Sequence, residues 1–353
     1  MGRRPAECRR IQGRFYLVPH LTEGAGALKQ VLAALDKGPN YIFHLAALAS
    51  AGFRSDYVDT YARTVAPEDL QALRKHGGRL DFGFGSGHGG DLASLLIFHP
   101  AYLDLDSVNA FAEFFTLLDE GFRAGDFSRF LQRYSREHAE LRNWVFHVDQ
   151  RWLSSVQASR DVIRELGGAY VRSLPAYESE VWPVESPKMA DVASGLNAYF
   201  RERDVIGKWE EVTGLTFKYP VYRIILCSAL KDGPQANSLG YEKNTFYYGS
   251  DFGWLTDFVS HEVGTHILIG LAKEMMATGP FDYLAYRAHE NLARFYNFRV
   301  LGKDKLYGMS PQYHCEEFLS VYAAISARES GITPSGMFRE GLDLFRTRYP
   351  ELM

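Results

Sequence analysis

The segment from Asp257 to Ala272 constrains the fold of this chain more than any other. Its residues Phe258, Val259, Val263, Ile267, Leu268, Ile269 and Leu271 read as a mostly apolar helix, and such a helix must be buried against other elements. Inside it sits the run His261-Glu262-Val263-Gly264-Thr265-His266. Two imidazoles and a carboxylate in a buried helix need polar partners, because a buried polar group without one is costly. A metal ion satisfies both imidazoles at once. Neutral His nitrogens bind zinc, and zinc makes bound water acidic enough to act as a nucleophile near neutral pH. Glu262, beside the first His, is placed to take the proton from that water.

The spacing is unusual. The common H-E-x-x-H motif puts its histidines four residues apart on one helix face. Here they are five apart, which on a regular α-helix turns the second ring by about 140° from the first. A one-residue π-bulge would restore convergence, and Gly264, between the two rings, resists that distortion least. The competing reading is two ordinary histidines with Glu262 a solvated charge.

A catalytic zinc takes three protein ligands and keeps one position open for water. Downstream, Ala288-His289-Glu290-Asn291-Leu292-Ala293 reads as the first turns of a helix, with Glu290 the favoured third ligand and His289 a lesser one. Glu317, in Cys315-Glu316-Glu317-Phe318-Leu319, is the alternative. Either carboxylate could instead be there for the dipole at a helix start. Each His ligand should also have an outer partner that fixes its tautomer, and Asp257, Ser260 and Glu316 are candidates.

At these residues the chain resembles a known family. The hexapeptide is close to the H-E-I-G-T-H signature of the microtubule-associated tyrosine carboxypeptidases and their bacterial relatives. The resemblance implies that His261, His266 and a downstream Glu hold one zinc ion and that Glu262 is the general base. The family's third ligand lies in an E-E-G-L-A-like run, best matched here by His289-Glu290-Asn291-Leu292-Ala293, with His for the first Glu and Asn for Gly. The match covers the hexapeptide well and the next thirty or so residues loosely. It supports a zinc peptidase better than it supports tyrosine specificity.

Elsewhere the sequence excludes more than it assigns. Hydrophobic residues make up 46% and charged residues 23% of 353, the balance of a water-soluble globular chain. A net charge of −4 argues against nucleic-acid binding. Three cysteines, Cys8, Cys227 and Cys315, are too few and too odd for a disulfide framework and fit a reducing compartment. The basic Met1-Gly2-Arg3-Arg4-Pro5 start has no apolar run after it, so no secretory signal is expected. Tyr41 to Phe53 is too short to span a bilayer. The expected setting is cytoplasmic, with no membrane partner.

Residues 24–36 and 40–53 read as helices or apolar turns, and Pro67 to Lys75 as a short helix opened by proline. The run Phe82-Gly83-Phe84-Gly85-Ser86-Gly87-His88-Gly89-Gly90 lacks the marks of a phosphate loop and reads as a surface loop, with a substrate-side flap the sharper alternative. From Asp106 to Leu166 a 3.6-residue period places Phe111, Phe114, Leu118, Phe130, Trp144 and Trp152 on core stripes of two or three helices. Pro183 to Lys188 reads as a break. It divides a mainly helical region, 1–185, from a zincin-like catalytic domain, 186–353. In the second part, Ala190 to Glu202 reads as a helix, Val221 to Cys227 as a strand and Leu239 to Gly249 as a paired strand. The expected class is α+β, mostly helical, with a small sheet beside the metal helix whose edge can pair with an extended peptide.

The reading is a zinc peptidase, carboxypeptidase-like, acting on a peptide or protein substrate whose C-terminus is one point of attack. Tyr248, Tyr313 and His314 are candidate oxyanion donors. Arg223, Lys243, Arg287 and Arg294 are candidates to hold a terminal carboxylate. Two other classes stay open. One is a structural zinc protein closed by Cys315, against which Glu262 argues because a structural site needs no base. The other is a metal hydrolase of non-peptide amides.

Overall fold

A computed structural model describes residues 28–83, 89–142, 144, 146–276, 283–303 and 313–352, with 272–276 as backbone only, and the backbone of two further short strands. Those two, β1 (Cys8–Ile11) and β2 (Arg14–Leu17), pair antiparallel. The main sheet has four strands, β3 (Gln30–Ala34), β4 (Val221–Cys227), β5 (Ala236–Ser238) and β6 (Lys243–Tyr247), in the order β3-β4-β6-β5. The first two pairings are parallel, and β5 closes one edge antiparallel to β6. The protein is mostly helical with this one small mixed sheet, an α+β architecture.

The sheet is a partition between two apolar cores, and the period-2 alternation of its strands is the reason. On β4, Tyr222, Ile224 and Leu226 face one core, while Ile225 and Cys227 face the other. Val31 and Ala33 of β3 pair with Tyr222 and Ile224 and share their face. Phe246 of β6 joins them. Here the sequence reading needs correction: residues 30–34, read as helix or apolar turn, are a strand. Only a partner far along the chain reveals the alternation of Val31 and Ala33.

The first core is built largely by helices before Trp182. In Lys37–Leu48 every residue from Gly38 onward is buried. Pro67–Lys75 is a helix with proline in its first turn, as its sequence implies. The periodic stretch after Asp106 forms five helices rather than two or three: Val108–Ala124, Ser128–Arg133, Ser135–Glu140, Gln150–Ser155 and Arg160–Ala176. Local chemistry sets their limits. Ser107 Oγ accepts from the Ala110 N–H at 3.2 Å at the start of the first, and Gly125 at φ 70° ends it.

Pro183 to Lys188 does not break the helical run. Arg160–Ala176 passes through a π turn, Tyr177–Val181, into Trp182–Arg201. A proline ring abuts the carbonyl four residues back, and a π turn widens the helix there. The carbonyl four before Pro183 belongs to Ser179, inside the π turn. The same pairing recurs at Pro100, four residues after Leu96 in the π turn Ser94–Phe98. The first core ends along this helix at Val181 and the second begins at Met189. Of the glycine-rich run, residues 84–88 lie outside the described residues, while Phe82 is buried against Phe43 and Phe98. Among the described residues no helix is long and apolar enough to cross a membrane.

Candidate metal centre

The hexapeptide lies in a helix, Phe252–Met276, that packs on the second-core face of the sheet. This helix is α-helical throughout, so the expected π-bulge at Gly264 is absent. The glycine has another cause. A Cβ at Gly264 would stand 2.2 Å from Cη2 and Cζ2 of Trp209, a fully buried indole on the helix Val205–Thr213. Gly264 is therefore where the Trp209 ring of the neighbouring helix packs directly on this one. With regular geometry, taking His261 as zero, Thr265 stands at about 40°, Glu262 at about 100° and His266 at about 140°. The two rings flank the carboxylate on one half of the helix.

His261 is 5% exposed, and its Nε2 lies 3.1 Å from Glu290 Oε2. Its Nδ1 is buried without a partner. Burial lowers its pKa more than Glu290 raises it, so a neutral imidazole meets a carboxylate at neutral pH. Glu290 does not open a helix as its sequence suggested. The helix Tyr283–Leu301 begins two turns earlier, which removes the dipole explanation for this residue. Burial would raise the Glu290 carboxyl, but hydrogen bonds from His261 and His289 outweigh it and hold it below the ordinary carboxylate range. Tyr286, one turn before, also hydrogen-bonds Glu290, and burial together with that charge raises its hydroxyl well above the usual tyrosine value. Tyr286 was not among the sequence candidates, although its i, i+4 spacing to Glu290 was the available signal.

Glu262 accepts from Asn244 Nδ2 at 3.1 Å and from Thr265 Oγ1 at 3.4 Å. Burial, then the charge of Glu290, pushes its carboxyl above the ordinary range, and Arg294 acts against them. His266 is held differently. Its Nδ1 lies 2.8 Å from the Tyr241 carbonyl and its Nε2 lies 2.7 Å from Ser238 Oγ. Tyr222 and Trp144 flank the ring, with centroids at 5.1 and 5.6 Å. Ser238 and Asn244 are direct cross-strand partners on β5 and β6, so their side chains share the face toward the helix. Asn244 Nδ2 reaches Ser238 Oγ at 3.2 Å as well as Glu262. A polar chain thus runs from His266 through Ser238 and Asn244 to Glu262.

The structure therefore joins His261 with Glu290 and sets Glu262 between the histidines, but His266 is engaged by the sheet. Among the described residues no three His, Cys, Asp or Glu side chains converge as a metal-holding group. The donors nevertheless fit zinc in kind. Two ligands of one tetrahedral zinc stand about 3.3 Å apart, close to the 3.1 Å between His261 Nε2 and Glu290 Oε2. Glu317, on the helix Cys315–Arg328, makes no hydrogen bond or ion pair with either histidine. His289 is 2% exposed, and its Nε2 donates to the Thr265 carbonyl at 3.1 Å, tying the two helices together.

None of the expected outer partners hydrogen-bonds the ring of His261 or His266. Asp257 binds Lys303 Nζ, Ser260 bonds Trp209 and Asn297, and Glu316 is exposed. Ser238 and the Tyr241 carbonyl take that place at His266. Of the candidate cations, Arg223 is paired with Asp36, and Lys243 reaches the Tyr102 carbonyl at 3.0 Å. The Arg287 carbonyl accepts from Asn291. Arg294 is the one close enough to act on both Glu262 and His261. Of the candidate oxyanion donors, Tyr248 lies near Glu185 instead, and His314 lies against Phe345. Tyr313 meets Tyr286 at 6.4 Å between ring centroids. No protein-family profile, curated protein or solved structure matches the chain.

Proposed function

We propose that this chain is a zinc-dependent peptidase, carboxypeptidase-like, akin to the microtubule-associated tyrosine carboxypeptidases and acting in the cytoplasm. The observation that carries the reading is the close approach of His261 Nε2 and Glu290 Oε2 from two helices, with Glu262 one residue along the first. A polar constellation of this kind in an apolar interior has a use beyond packing. His261, His266 and Glu290 would hold one zinc ion, with His266 turning from Ser238. The ion, when bound, supplies an acidified water and polarises the scissile carbonyl.

Glu262 takes the proton of the attacking water and returns it to the leaving amine. Asn244 and Thr265 hold the Glu262 carboxylate for both transfers. β5, at the sheet edge beside His266, offers its backbone to an extended substrate, and Arg294 is the cation for a terminal carboxylate. The test is zinc content beside peptide turnover. Wild type should carry one zinc, His266→Ala should lose it, and Glu262→Gln should keep it while hydrolysis of peptides with a C-terminal aromatic residue stops. A wild-type protein that takes up no added zinc ends the proposal.

A further inference from the structure

We infer a second chemistry on this sheet edge: Ser238, His266 and the Tyr241 carbonyl form a nucleophile, base and orienter able to carry an acyl group on Ser238 when no metal occupies His266. The geometry meets each requirement of an activated serine. Ser238 Oγ lies 2.7 Å from His266 Nε2, within the reach proton transfer needs. The Tyr241 carbonyl lies 2.8 Å from His266 Nδ1 and, being acceptor only, fixes the proton on that nitrogen. Nε2 is then the bare nitrogen, the one that faces the serine hydroxyl. Tyr222 and Trp144 pack against the ring and hold its orientation. Asn244 Nδ2, 3.2 Å from Ser238 Oγ, donates to the hydroxyl oxygen and leaves the hydroxyl proton directed at His266. Ser238 ends the edge strand and is partly exposed.

In the step, Ser238 Oγ bonds to the carbonyl carbon of an activated ester or amide and its proton passes to His266 Nε2. The bond to the leaving oxygen or nitrogen breaks, and that atom takes the proton from His266. Water then attacks the acyl ester, again giving a proton to His266, and a carboxylic acid and the free Ser238 hydroxyl are restored. This inference goes beyond the peptidase reading and shares only His266 with its ligands. A metal on Nε2 and a proton acceptor at Nε2 exclude one another.

The experiment uses the full chain in chelator, treated with a fluorophosphonate, with the modified residue mapped by mass spectrometry. Phosphonylation at Ser238 is expected, absent in Ser238→Ala and slowed at least roughly 100-fold in His266→Gln. Ser238 left unmodified in protein with an unchanged melting curve overturns the inference, as does an equal rate in His266→Gln. Should His266→Gln not fold, the imidazole nitrogen spectrum of wild type decides: a proton on His266 Nε2 overturns it. Zinc uptake that leaves the labelling rate unchanged overturns the shared imidazole. Labelling of a protein that binds no zinc upholds this chemistry and removes the peptidase reading.

Discussion

His261 and Glu290 reach each other from separate helices, so each is testable by the other's absence. Glu290→Ala should lower zinc affinity by at least roughly tenfold, while Glu317→Ala, with no contact to either histidine, should leave it unchanged; chelator competition measures both. Elsewhere, burial holds other histidines neutral. His44 is fully buried and its pKa is lowered to about 3, and His99, 1% exposed, is also held well below its ordinary value. Such groups contribute stability that is complete above the unfolded value of about 6.5 and is lost as pH falls toward the folded one. At pH 5 the loss is about 2 kcal/mol for His44. Melting temperature should accordingly fall between pH 7 and 5, and His44→Phe or His99→Phe should flatten that fall. The hexapeptide itself was legible in sequence, because its residue types sit within six consecutive positions. Ser238 and the Tyr241 carbonyl at His266, and Asn244 at Glu262, were not, because the pairing of β5 with β6 brings them to the helix.

At the scale of elements, the helix Phe252–Met276 is positioned by a glycine facing an indole. Gly264→Ala would force the Trp209 ring to move and should cost about 1–3 kcal/mol. In a Trp209→Phe background the added methyl finds room and the cost should shrink, a coupling that denaturant titration of the four proteins measures. Equal costs in both backgrounds would return Gly264 to a role in backbone distortion. β4 was legible from Val221 to Cys227 because six of its seven residues are hydrophobic and nothing breaks the run. The helical course of Pro183–Lys188 was not, because proline reads as punctuation unless the π turn upstream is known.

At the scale of the molecule, one strand feeds both cores. Ile224 and Ile225 are neighbours in sequence, are 0% and 1% exposed, and point into different cores. Ile224→Ala and Ile225→Ala should each cost about 2–5 kcal/mol and should lower a single shared transition, followed by circular dichroism and tryptophan fluorescence. Two separated transitions would mean that the cores unfold independently. The fold class was legible, since helical periodicity dominates the chain and strand signals are few. The partition was not, because it depends on β3, whose partner lies far downstream. More than half the chain separates Ala34 from Val221. On a ribosome adding roughly 5–20 residues per second, β3 therefore emerges about 10–40 seconds before the strand it pairs with. During that interval the half that carries the hexapeptide can have no sheet, and the young chain presents an unpaired edge to whatever chaperones it meets.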